Sequence, residues 1–372
     1  MKRGIHHVVI WLGVMAGSFV AHAADRETET RTIGVIAPLT LGNAKFGEDI
    51  KNAVEIVTKQ FNTNPAARHR YKVLIEDGKC GSGNAAISAA NRLITIEKVD
   101  ALVVGCSGEI LQVSDIVEKN RVPTMVVFAS HPKVKHLGPH IFRVFVDVDN
   151  DTPRLTEKMK SQGRSRIAII TEDLPFTMGI KDALMSDLAE RVTATPDYSE
   201  GSNDFRSILL RVKATNPDAL FLNAGSVETL GPLVKQVSEL GIKVPLYSFA
   251  YASVPTFIKS HSQFAEGMIF VSAPHVDETS EAGKVFKAAY MKETGSPPHI
   301  PFVAATAYDG ATALISALEQ SGRSDPEQTI NALLNYNADG VTGRIRFDDN
   351  GDAVGIHYHL RTLRNGEMVP VS

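Results

Sequence analysis

The chain has 372 residues, 43% of them hydrophobic, 22% charged and 7% aromatic, a balance that excludes intrinsic disorder, collagen and coiled coil. With 39 Lys and Arg against 42 Asp and Glu, the formal charge is −3. That is a poor electrostatic footprint for nucleic acid, and none is expected as a partner. At this length a single core stops growing, so two domains are the starting expectation.

Lys2 and Arg3 head an uncharged apolar run over 8–20, and Ala21-His22-Ala23 supplies the small residues that a signal peptidase reads. Residues 1–23 are therefore expected to be a secretory signal cleaved after Ala23; the run is too short for a helix to cross ~30 Å of hydrocarbon. No later apolar run is long enough to span a membrane. Export changes the meaning of the two cysteines, Cys80 and Cys106, because an oxidising compartment lets thiols pair. Each follows a strand-like run, so adjacent parallel strands can bring both to one sheet edge. A disulfide or a pair of buried free thiols are the alternatives.

From there the apolar pattern alternates. A strand over 32–37 precedes a helix whose apolar positions are Phe46, Ile50, Ala53, Val54, Val57 and Phe61. The unit repeats as strand 71–76, helix 85–96, strand 101–104, helix 110–118 and strand 124–128. After an irregular stretch over 131–151 the pattern restarts with helix 152–161, strand 166–171, helix 178–190, strand 192–195, helix 205–214, strand 219–222, helix 227–240 and strands 245–249 and 268–272. Helices 282–293, 303–318 and 326–334 then need an existing sheet to cover, and the first domain is the natural host. Strands 344–347 and 356–363 end the chain. The alternation predicts an α/β protein of two doubly wound parallel-sheet lobes. Three crossings, near Val146, Ala273 and Phe347, form a hinge over a cleft. The expected division is 24–146 plus 274–346 for the N-terminal lobe and 147–273 plus 347–372 for the C-terminal lobe.

In open parallel sheets the ligand sits beyond the carboxyl ends of the strands. The loops there are rich in small hydroxyl and glycine residues, notably Cys106-Ser107-Gly108 and Ala129-Ser130-His131. Ser107 and Ser130 stand where free backbone N–H groups gather, which suits a carboxylate or another anion. Phe46 can present a flat apolar surface over the mouth of the cleft.

At these residues the sequence resembles the solute-binding proteins of branched-chain-amino-acid ABC importers, the leucine-binding type with the type I periplasmic binding protein fold. The resemblance rests on Ile33-Gly34-Val35-Ile36-Ala37-Pro38-Leu39-Thr40, Ala44-Lys45-Phe46-Gly47, Phe128-Ala129-Ser130-His131-Pro132, Asp204-Phe205, Glu266-Gly267, Tyr308-Asp309 and Gly340-Val341-Thr342-Gly343. It implies a disulfide between Cys80 and Cys106, a ligand-carboxylate serine at Ser107, and a binding segment at Phe128, Ala129 and Ser130. Phe176 stands where the family commonly uses a tyrosine and Ser226 stands near another, while Ala250-Tyr251 falls where its acidic ammonium partner would be. The resemblance thus implies a site whose anion half is kept and whose cation half is lost. Burying an ammonium without a carboxylate costs several kcal/mol, so an α-amino acid requires Glu172 or Asp173 as substitute partner. The expected ligand is a small carboxylate with an apolar or aromatic body: a hydrophobic amino acid or amino-acid-like, keto or aromatic acid. Ser107 and Ser130 would hold its acid group, and Phe46, Phe176 and Tyr251 would surround the rest.

The resemblance implies an exported, monomeric, non-enzymatic periplasmic protein that delivers its solute to an inner-membrane ABC permease with a cytoplasmic ATPase. The alternative is a free periplasmic ligand-sensing co-receptor of a signalling system. Other chemistries are weaker. Gly105-Cys106-Ser107-Gly108 lacks the G-x-S-x-G spacing of a nucleophile elbow, and Ser107 can instead be a helix cap. His357 and His359 share one face of the expected last strand but lack a third metal ligand. Asp348-Asp349-Asn350-Gly351-Asp352 is too short for a calcium loop and reads as a tight hairpin. Gly34 and Gly81-Ser82-Gly83 make no phosphate loop, so no cofactor is expected.

Overall fold

The computed structural model describes residues 29–81, 83–272, 276, 278–322 and 325–371. The expected signal segment and the crossing near Ala273 lie outside these residues. The first lobe opens with β1 (Thr30–Ala37), α1 (Ala44–Thr63), β2 (Arg70–Asp77), α2 (Ala85–Ala90, continued by a π turn over Asn91–Ile96), β3 (Ala101–Cys106), α3 (Ser107–Asn120), β4 (Thr124–Phe128) and β5 (Ile141–Arg143). These strands form an all-parallel sheet in the order β2-β1-β3-β4-β5. Being covered on both faces, β1, β3 and β4 are near-continuous apolar runs rather than alternating ones. Leu102, Val104 and Val126 face Ile110, Val113 and Val117 of α3, while Val103, Met125 and Val127 face the opposite layer, as the two-residue period of a strand requires.

The second lobe contains α4 (Val148–Ser161), β6 (Ile167–Glu172), α5 (Pro175–Leu188), β7 (Val192–Ala194), β8 (Asp197–Tyr198), α6 (Arg206–Ala214), β9 (Ala219–Asn223), α7 (Val227–Glu239), β10 (Leu246–Ser248), α8 (Pro255–His261) and β11 (Ile269–Ser272). The chain then returns with α9 (Glu281–Thr294), α10 (Pro301–Gln320), α11 (Pro326–Leu334) and the ribbon β12 (Asn337–Gly340) and β13 (Gly343–Arg346). Here α10 packs on α1 and β4 of the first lobe. The last strands, β14 (His359–Arg364) and β15 (Glu367–Pro370), add antiparallel to β11, giving the second sheet the order β15-β14-β11-β10-β9-β6-β7 with β8 also on β6.

The α/β class with parallel sheets and covering helices is as expected; several details are not. Helix α3 begins at Ser107 rather than 110, directly from β3, because its first turn, Ser107-Gly108-Glu109, is buried without being apolar. Helix α5 begins at Pro175 rather than 178, with proline at the first helical position where its missing N–H costs nothing. The irregular stretch contains a 3₁₀ turn over Pro132–His136 and β5, and α4 already starts at Val148. Helix α8 and the short strands β8, β12 and β15 carry too few residues to show a period. His357 precedes β14, so it does not share a strand face with His359. Asp348–Asp352 is indeed a tight turn: the Asp348 carboxylate accepts from the N–H groups of Asn350 and Asp352, both at 2.9 Å.

Candidate functional site

The loop motifs gather where the carboxyl ends of the two sheets face each other. Cys80 and Cys106 are bonded, with Cα atoms 5.4 Å apart, within the usual range. Their strands are not adjacent, however: β1 lies between β2 and β3. The chain bends back after β2 through Lys79 and Cys80, both with left-handed φ near +60°, and so reaches over the end of β1. The close approach has a second requirement. A Cβ on Gly108 would lie 2.3 Å from the Cys80 carbonyl oxygen, so only glycine fits there.

Beneath the bridge, Glu109 closes the start of α3. Its carboxylate accepts from the Cys106 N–H at 2.9 Å and the Cys80 N–H at 3.3 Å. Because Cys106 is the N-cap and Glu109 the acceptor, the Ser107 hydroxyl is not needed as a cap. It accepts instead from the His131 N–H at 3.4 Å, which brings the β3–α3 junction against the loop after β4. In that loop Ser130 is fully buried and its Oγ has no hydrogen-bond partner among the described residues. A buried orphan hydroxyl costs ~1–3 kcal/mol, a penalty that a ligand acceptor would remove. The N-terminus of α3 beside it favours negative charge.

Around this polar corner stand aromatic rings from both lobes. Phe46 stacks on Phe128 at 5.2 Å between centroids and meets Tyr251 edge-on at 5.5 Å. Phe176 lies 6.3 Å from Phe128 and 6.0 Å from Tyr251. Phe46, Phe128, Phe176 and Tyr251 are thus one cluster spanning the cleft, while the buried Ala129 packs with the α3 side of the first sheet. Pattern reading missed its extension: Phe145 and Phe302 touch Phe128, and Phe249 touches Phe176. The one local signal was an aromatic residue ending the strand before Ala250.

Ser226 stands apart from this cluster in role. Its hydroxyl caps α7, accepting from the Thr229 N–H at 3.1 Å. Of the two candidate acidic partners, Asp173 is exposed. Glu172 is buried, and its Oε2 already accepts from the Gly225 N–H and the Thr229 hydroxyl, both at 2.7 Å. Burial raises its pKa above the ordinary carboxylate value. The Tyr251 phenol is pushed up by burial and by the neighbouring charges of Glu172 and Glu228, so it remains a neutral hydroxyl. At the mouth of the cleft a cavity of about 470 Å³ is bounded by Gly42 and Asn43 from one lobe and by Glu200, Gly201, Ser226 and Glu228 from the other. Lys45 spans the same gap, 3.7 Å from Glu228.

A sequence model described as periplasmic binding protein matches residues 30–363. The chain belongs to the periplasmic binding protein family. As a periplasmic binding protein it is similar to a Leu/Ile/Val-binding protein of Rhizobium johnstonii, with 24% identity over 91% of this chain and 93% of that one. Among solved structures it is similar to the leucine binding protein LivK of Thermotoga maritima, with a TM-score of 0.80 and 23% identity over 92% and 98% of the two chains. A solute binding protein of an ABC transporter from R. palustris, in complex with 4-hydroxybenzoate, has a TM-score of 0.80 and 21% identity over 92% and 96%. At such identities the structures speak for the fold, and the resemblance drawn from the loop motifs is borne out. Its proteins bind solutes rather than transform them. Among the described residues no group of three or more His, Cys, Asp or Glu is placed to hold a metal, and no helix is long and apolar enough to cross a membrane.

Proposed function

We propose that this periplasmic binding protein is the solute-binding component of an ABC importer, and that its solute is a small carboxylate with an aromatic or apolar body. The lobes on either side of the cleft would be 24–146 plus 274–346 and 147–273 plus 347–372. Ser107, Ser130 and the start of α3 take the acid group. Phe46, Phe128, Phe176 and Tyr251 surround the body, with Ala129 in the loop that carries Ser130 and Ser226 at the outer rim. The observation that carries this reading is the buried, partnerless Ser130 hydroxyl beside a cluster of four rings. An α-ammonium is less well provided for, since one oxygen of the buried Glu172, Oε2, already accepts from the Gly225 N–H and the Thr229 hydroxyl. That relatives include both a leucine binder and a 4-hydroxybenzoate complex is consistent with one fold serving either solute, so the choice rests on these side chains.

Isothermal titration of the purified protein with benzoate, 4-hydroxybenzoate, phenylpyruvate and leucine tests the reading. Saturable binding of at least one of the three acids lacking an ammonium, with weaker or no leucine binding, is expected. Tight leucine binding with no response to the other three would overturn it.

A further inference from the structure

Arg143, the last residue of β5, is 1% exposed and uses every N–H of its guanidinium. Nε and Nη2 grip the Asp352 carboxylate in a fork at 2.8 and 2.5 Å. Nη2 also donates to Asp147 at 3.2 Å, and Nη1 to the carbonyl oxygens of Ala129 at 3.3 Å and His131 at 3.1 Å. Its backbone is tied too: its N–H donates to the Gly351 carbonyl and its own carbonyl accepts from Ala353, both at 2.8 Å. Asp147 lies in the segment that leaves the first lobe for α4, and Asp352 in the segment that runs from β13 to β14 of the second lobe. One cation therefore holds two of the segments that cross between lobes.

The two carbonyls it holds flank Ser130. The Ser130 carbonyl is itself fixed, accepting from the Val148 N–H at 3.0 Å. A buried hydroxyl normally relaxes until it finds a partner, but a loop whose main chain is pinned on both sides and at its centre cannot shift to bring Ser130 to one. We propose that Arg143 is a positioning residue for solute binding: it keeps the Ser130 hydroxyl aimed at the cleft and links occupancy of that loop to the angle between the lobes through Asp147 and Asp352. The linkage rests on Ser130 as a ligand group. The geometry requires arginine, because the ammonium of a lysine is a point charge that cannot fork on a carboxylate and also reach two carbonyls.

The test uses Arg143→Lys and Asp352→Asn in the full-length mature protein, with 4-hydroxybenzoate as the probe. Arg143→Lys should weaken binding tenfold or more, but should have little further effect in a Ser130→Ala background. In the ligand-free protein, hydrogen exchange should rise together in 129–134 and 348–353. Asp352→Asn should act in the same direction and decides the matter if Arg143→Lys fails to fold. Additive losses of affinity, or faster exchange confined to 348–353, would overturn the proposal. If 4-hydroxybenzoate does not bind the unmodified protein, the solute reading has failed instead, and joint exchange of the two segments alone decides whether Arg143 couples them.

Discussion

Glu109 has no exposed surface, and burial pushes its pKa up to about 8 despite the N–H groups of Cys106 and Cys80. A carboxyl raised on folding stabilises most below its unfolded value, near 4.5, and that stability is lost as pH rises toward 8. Glu109→Gln should therefore flatten the fall in unfolding free energy between pH 5 and pH 8, a difference on the order of a few kcal/mol, as read from denaturant titrations at each pH; superimposable profiles would remove the explanation. At Ser130 the expectation is opposite in kind. Its hydroxyl has no partner among the described residues, so Ser130→Ala should leave the melting temperature unchanged or higher. It should cost roughly tenfold or more in solute affinity, the loss of one hydrogen bond to a charged group; calorimetry and a thermal melt on the same sample check both. Neither property was legible in the sequence. Ser107 and Ser130 could be named from their place after apolar strands, but which serine stays unpartnered depends on the His131 N–H reaching Ser107. Ser226, by contrast, was legible as the cap of α7, since it stands directly before the helix expected over 227–240.

The strands that were easiest to read, β1, β3, β4 and β9, are central and parallel, so a continuous apolar run marks each one. Elements at edges or of two to four residues escaped because a period needs several repeats to emerge. Helix starts were also misplaced where proline or buried polar residues open the first turn, as in α5 and α3. One consequence belongs to α5. A Cβ on Gly179 would lie 2.8 Å from Cδ2 of His131, across the cleft from its own helix. Gly179→Ala should strengthen α5 by about 1 kcal/mol yet obstruct the approach of the lobes, lowering affinity roughly tenfold through overpacking. His131→Ala in the same chain should restore binding; if the double variant binds no better than Gly179→Ala alone, the obstruction lies elsewhere.

On the scale of the molecule, the contacts that join the lobes among the described residues are mixed and include an aromatic cluster, the Lys45–Glu228 pair, the His131–Gly179 packing and the Arg143–Asp352 fork. The exposed ion pair is worth little, so on the proposed reading a solute that touches both lobes should favour the closed arrangement. Small-angle scattering should then record a smaller radius of gyration with a bound solute than without it, and an unchanged radius would argue against a closing cleft. The sequence by itself determined the α/β alternation, the return of the chain to cover the first sheet, and the family. Each is written in local apolar spacing or in short motifs, which neighbouring residues enforce. Only the tertiary structure decided that β1 separates the strands joined by the disulfide, that rings from distant segments meet across the cleft, and that Arg143 joins Asp147, Asp352 and the Ser130 loop. Those partners lie up to 209 residues apart, and no spacing rule spans such a distance; packing of the whole chain selects them.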